Sequence, residues 1–143
     1  MKLYLSSYKL GNETETLKKW LALTNKRVGY VPNAFDFTSM PPENRIKHMD
    51  FVYGGYSAGC CVLSTTLKGL QTVDEPYGYP YEGLKETIWE GLGVIDYMFL
   101  PHYDSDHPES EKIAEEVVYC QENELHYKTV RDGEVVLVEK CSG

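Results

Sequence analysis

The chain has little that would tie it to nucleic acid, to a membrane or to an oxidising compartment. Lys and Arg number 14 against 22 Asp and Glu, leaving a net charge of -8, and the basic residues form no cluster. A phosphate backbone or an anionic bilayer is therefore a disfavoured partner, since such binding begins from a basic patch. No apolar run approaches the length needed to span a bilayer, and the apolar stretch at residues 1–6 is too short for a secretory signal. The four cysteines are Cys60, Cys61, Cys120 and Cys141. They contain no C-x-x-C pair and match neither a zinc pattern nor a small secreted disulfide framework, so a reduced, cytoplasmic protein is expected. There is no internal repeat and no low-complexity tract.

What is present is ordinary for a folded domain. Hydrophobic residues make up 42% and charged residues 25% of 143 residues. That length predicts one domain over 1–143 with a core of its own. Apolar patterning predicts a first strand at residues 2–6, then a helix at 14–23 carrying Leu17, Trp20 and Leu21 at helical spacing, then a strand at 27–31. Met40-Pro41-Pro42 breaks the next stretch, after which a short helix at 43–49 and a strand at 51–53 are expected. Further on, the pattern predicts a helix at 58–67, a proline- and glycine-rich loop at 71–81, a helical turn or two within 82–90 and a strand at 94–100. A helix at 110–120 should turn Ile113, Val117 and Val118 inward. Strands at 126–131 and 135–139 flank Asp132-Gly133, a strong hairpin signal. The order indicates an α/β fold, with a mostly parallel sheet, flanking helices and a C-terminal β-hairpin.

The chemistry centres on Gly55-Tyr56-Ser57-Ala58-Gly59, which fits the G-x-S-x-G nucleophile elbow between a strand and a helix. Glycines there let the backbone fold tightly around the serine and leave its hydroxyl exposed. The bland alternative is a glycine turn with an ordinary serine. A serine nucleophile needs a base in hydrogen-bond reach and a third group to orient the base. Of His48, His102, His107 and His126, the best placed is His102, which follows a predicted strand and Pro101 in a loop beyond a strand's carboxyl end. His107 is second. For the acid, Asp74, Asp96, Asp104, Asp106 and Asp132 all lie in or beside loops, although Asp132 also has a purely structural reason to precede Gly133. A rival reading takes His102, Asp104, Asp106 and His107 as ligands of a divalent metal. All four would come from one short loop, and a solvated acidic loop is the simpler account.

Several short motifs in order carry a resemblance: Leu3-Tyr4-Leu5-Ser6-Ser7, Tyr30-Val31-Pro32-Asn33-Ala34, Gly54-Gly55-Tyr56-Ser57-Ala58-Gly59 and Leu100-Pro101-His102-Tyr103. Together the chain resembles the serine peptidase family of dipeptidase E (aspartyl dipeptidase) and cyanophycinase. The resemblance implies a fold related to class I glutamine amidotransferases and a Ser-His-Glu/Asp triad in that chain order. It places the nucleophile on Ser57, the general base on His102 and the acid on Asp132, where dipeptidase E usually has glutamate. The N–H of Ala58 would serve the oxyanion hole, and Asp74 matches a further acidic position near the active site.

The family also carries, before the elbow strand, a further strand ending in Gly-Gly-Asn that lends a second oxyanion donor. No Gly-Gly-Asn occurs between Pro32 and Asp50, so the chain reads as lacking an internal segment. The resemblance implies no metal and no organic cofactor. Arginine occurs only at Arg27, Arg45 and Arg131, none obviously placed to pair with an aspartyl substrate, so the expected substrate class is small peptides. A shortened sheet would leave an exposed edge that a homodimer could cover. The alternative function, from another class, is a catalytically inactive α/β domain that binds a peptide or a partner subunit.

Overall fold

The structure, a computed structural model, describes residues 2–22, 52–73, 77, 83 and 86–139. In chain order its elements are β1 (Lys2–Ser6), α1 (Thr14–Ala22), β2 (Val52–Tyr56), α2 (Ala58–Cys61), β3 (Met98–Leu100), α3 (Ser110–Glu122), β4 (Tyr127–Thr129) and β5 (Val135–Glu139). The strand expected at 27–31, the helix at 43–49, Phe51 and most of the loop around Asp74 lie outside the described residues.

β1 is buried from Leu3 through Ser6. Side chains alternate between faces along a strand, so burial of every position means that both faces are covered. β2 runs parallel to β1, from Lys2↔Val52 to Ser6↔Tyr56. β5 runs antiparallel on the other side, from Lys2↔Glu139 to Ser6↔Val135. β3 and β4 form a separate parallel pair. The sheet order β2-β1-β5 brings Ser57, just after β2, and the 131–134 turn, just before β5, to the same end of β1.

Asp132-Gly133 does make a tight turn, closed by Glu134 N–H donating to the Arg131 carbonyl at 3.0 Å. The strands around it do not pair as the expected hairpin. β4 pairs with β3 and β5 with β1. Alternation specifies which face of a strand is buried, whereas the choice of partner is made by long-range packing. The result is still an α/β arrangement with two parallel strand pairings and one antiparallel.

The helix expected at 58–67 stops after Cys61. Its continuation is prevented by a competing set of bonds. Leu92 N–H donates to the Val62 carbonyl, Val94 and Ile95 to Leu63, Gly93 to Ser64 and Gly91 to Thr65, so carbonyls that a longer helix would use are taken by the 91–95 segment. Gly91 makes this approach possible, because a Cβ there would lie 2.0 Å from the Ser64 carbonyl oxygen. The same contact runs Glu90 alongside Thr66 as an antiparallel bridge, and residues 86–90 are not helical. The strand expected at 94–100 is confined to Met98–Leu100.

The principal core unites Leu3 and Leu5 from β1 with Cys60, Cys61, Leu63, Ile95, Phe99, Val130 and Val136. Full burial of a side chain such as Leu5 or Phe99 is worth about 1.5–3 kcal/mol. A second cluster, Met98, Leu100, Ile113 and Cys120, seats α3 against β3. α3 turns Ile113 inward as expected, while Val118 is 50% exposed. Buried Glu116 takes an inward position instead, and its carboxylate accepts from the Thr72 N–H and hydroxyl. Cys60, Cys61 and Cys120 are buried and in no disulfide. Among the described residues no helix is long and apolar enough to cross a membrane.

Candidate active site

Ser57 sits between β2 and α2 with φ 47° and ψ -126°. Positive φ is strained for a residue with a Cβ, at a cost of order 1–3 kcal/mol, and it turns the hydroxyl away from the strand it follows. Two sets of bonds hold the strain. The Ser57 N–H lies within reach of the Ser6 carbonyl at 3.3 Å and the Ser7 carbonyl at 3.2 Å, and the Ser57 carbonyl accepts from Cys60 and Cys61. The two glycines of the motif are not equivalent. A Cβ at Gly55 would stand 3.0 Å from the Gly59 carbonyl oxygen and 2.9 Å from the Tyr53 ring, whereas one at Gly59 would meet only the Tyr53 hydroxyl at 3.9 Å. Tyr53 closes the elbow from below by donating its phenol to the Gly59 carbonyl at 2.7 Å. Burial, followed by the neighbouring Cys60 thiol, pushes that phenol up to about 12, so it stays a neutral donor.

His102 is 2% exposed. Its Nε2 is 3.1 Å from Ser57 Oγ and its Nδ1 is 2.7 Å from Asp132 Oδ1. An ionised carboxylate can only accept, so Nδ1 carries the ring proton and the Nε2 lone pair faces the serine hydroxyl. His102 also has positive φ, 62°, and its N–H donates to Ser7 Oγ at 2.8 Å. Asp132 is fixed from two directions: Oδ1 accepts from the Ser7 hydroxyl at 2.8 Å, and its N–H donates to Ser105 Oγ at 2.8 Å. The structure thus brings together Ser57, His102 and Asp132. Ala58 is the first residue of α2, and an N–H at that position has no intrahelical acceptor. Asp74 lies outside the described residues.

The other candidates are placed elsewhere. Asp104 pairs with Arg131 at the surface, Asp96 and Asp106 are exposed, and exposed His126 precedes β4. His107, the second candidate base, stacks on His102 with ring centroids 3.7 Å apart and planes 10° from parallel, while Tyr8 meets His102 edge-on at 6.3 Å. Among the described residues, His102, His107 and Glu109 have ligand atoms close enough together to suggest a metal site. The ring geometry argues against it. Imidazole lone pairs lie in the ring plane, so two nearly parallel stacked rings cannot both aim at one ion about 2.0–2.1 Å away. The ligand set His102, Asp104, Asp106 and His107 is not assembled, since Asp104 turns to Arg131.

Cys60 and Cys61 follow Ser57 closely in the chain, and both are buried. Burial, with a smaller contribution from Cys61, raises the Cys60 thiol far above its ordinary range against a lesser opposing effect of its bond to the Ser6 carbonyl. It remains a protonated thiol. The residues that pattern reading missed are Ser7 and Ser105, whose hydroxyls hold the acid, and Tyr8, which meets the imidazole edge-on; His107, expected as a second candidate base, stacks on that imidazole instead. Their only sequence signal is proximity to the motif segments.

No curated protein matches the chain. A crystal structure of a candidate peptidase E protein from Listeria monocytogenes EGD-e is similar at 22% identity and a TM-score of 0.44, over 64% of this chain and 45% of that one. The chain therefore spans less than half the length of that protein. The profile of peptidase family S51 matches residues 43–142, well over half of the chain, and the chain belongs to that family.

Proposed function

We propose that this chain is a serine-type peptidase that hydrolyses small peptides through a Ser57–His102–Asp132 triad and an acyl-enzyme. The observation that carries the reading is the unbroken hydrogen-bond chain from Asp132 Oδ1 through His102 to Ser57 Oγ, ending on a residue held at φ 47°. In the first half-reaction Ser57 Oγ attacks the peptide carbonyl while His102 Nε2 takes its proton. The Ala58 N–H faces the developing oxyanion. His102 returns the proton to the leaving amine, the C–N bond breaks, and an acyl-serine remains. Water then attacks the ester with His102 again as base, releasing the acid and restoring the serine. Asp132 keeps the proton on Nδ1 and stabilises the imidazolium in both halves. With no Gly-Gly-Asn between Pro32 and Asp50 to lend a second oxyanion donor, turnover is expected to be slower by about 10²–10³-fold than with both donors in place.

The test is hydrolysis of a dipeptide panel and an activated ester by the wild type, Ser57→Ala and Asp132→Asn, with folding checked by circular dichroism. Ser57→Ala should fall to the uncatalysed background. Asp132→Asn should retain its fold and lose kcat by about 10⁴-fold where the signal allows it to be read. Equal turnover by the wild type and Ser57→Ala would remove the peptidase reading.

A further inference from the structure

Ser7 is fully buried at the C-terminal end of β1, and each arm of the site is attached to it. Its carbonyl accepts from Ser57 N–H at 3.2 Å. Its hydroxyl accepts from His102 N–H at 2.8 Å and donates to Asp132 Oδ1 at 2.8 Å. Its own N–H donates to the Glu134 carbonyl at 3.3 Å, on the far side of the turn that carries Asp132. The hydroxyl's roles are forced by its partners: a backbone N–H can only donate and a carboxylate can only accept, so the single hydroxyl proton points to Asp132.

We propose that Ser7 is the positioning residue of this site, its hydroxyl setting the base and the acid in mutual register; this rests on the triad reading above. The two neighbouring serines do not share the task. Ser6 Oγ donates to the Tyr8 carbonyl, and Ser105 Oγ takes the Asp132 N–H and leaves the carboxylate alone. Asp132 Oδ1 therefore has two donors, the Ser7 hydroxyl and the His102 ring, converging on one oxygen. Together they prevent the carboxylate from rotating about its χ2. The His102 N–H is the other half of the device. A non-glycine residue at φ 62° needs outside bonds to hold it, and the hydroxyl of fully buried Ser7 supplies one. Removing only the hydroxyl spares the two backbone bonds of Ser7. It leaves a buried N–H without its acceptor and a carboxylate held by the His102 ring alone, and the cost should fall on orientation rather than on substrate binding.

The experiment compares Ser7→Ala and Ser7→Cys with the wild type in the full chain, reading kcat and KM separately, the rate of Ser57 labelling by a fluorophosphonate, and the downfield proton resonance of His102 Nδ1–H. Ser7→Ala should lower kcat and the labelling rate together by about 10- to 100-fold with KM within about twofold of wild type, and should move or broaden the Nδ1–H resonance. Ser7→Cys keeps a weak donor of similar shape and should fall between the two. Wild-type kcat in folded Ser7→Ala overturns the proposal, as does a loss confined to KM. If Ser7→Ala does not fold, Ser7→Cys decides: a reduced kcat supports the role and a wild-type kcat overturns it. Absence of any Ser57-dependent turnover in the wild type refutes the peptidase reading instead. The Nδ1–H resonance then still decides the inference, because an unchanged resonance in Ser7→Ala excludes a positioning role.

Discussion

Two glycine turns frame the site, at opposite edges of β1, and they solve the same problem by different means. At the elbow, Gly55 has ordinary φ and is required for space, because Gly59 and Tyr53 press against the position a Cβ would occupy. At the 131–134 turn, Gly133 has φ 89° and nothing within 4 Å of a Cβ, so it is required for conformation alone. The elbow confines its residue between packed backbone segments and places the strain on Ser57. The other turn leaves its glycine in open space and places the functional load on the preceding Asp132, whose carboxylate is fixed by Ser7 and His102. A glycine in a motif can thus mark contact or torsion, and the two have different consequences when it is replaced.

Gly55→Ala is the sharpest way to break that comparison. The new methyl meets backbone, which cannot swing aside, so a loss of about 1–3 kcal/mol in urea unfolding is expected, with displacement of Ser57 and loss of turnover. A stability within error of wild type would mean that the elbow is not tightly packed. Gly133→Ala should cost less, about 1–2 kcal/mol from the left-handed backbone alone, and Gly133→Asn should recover part of it. If Gly133→Ala proves as damaging as Gly55→Ala, space and torsion are not separable here. Gly59→Ala has the smallest expected effect, within about 0.5 kcal/mol and on the stabilising side. Its Cβ has room and a helical residue loses less backbone freedom than glycine. A clear loss of stability at Gly59 would restore the two motif glycines to equal standing.

Much of the site was legible along the chain because its parts coincide with local rules. The elbow announces itself through Gly55 and Ser57, His102 follows a strand and a proline, and Asp132 precedes the glycine that its turn needs. The partners of those parts were less legible. The apolar spacing from Ala58 to Leu67 suits a helix, yet the carbonyls at Val62 through Thr65 bond to a segment some thirty residues downstream that no periodicity reveals. The alternating runs around Asp132-Gly133 suit a hairpin. Competition from β1 and β3, both more deeply buried, decides the pairing instead. Ser7 was hidden for a different reason. A serine at a strand end has no pattern of its own, and its role arises only when His102 and Asp132 close over it.

The Ser7 to Asp132 hydrogen bond joins residues 125 positions apart. Loop closure over such a distance carries a large entropic cost, and contacts of this kind generally form late in folding. An elbow can arise locally from β2 and α2, but without β1 beside β5 it holds a serine with no aligned base and no oriented carboxylate. The proposed reactivity of this site is consequently a property of the finished sheet, and Ser57 lacks its partners until the two most distant parts of the described chain have met.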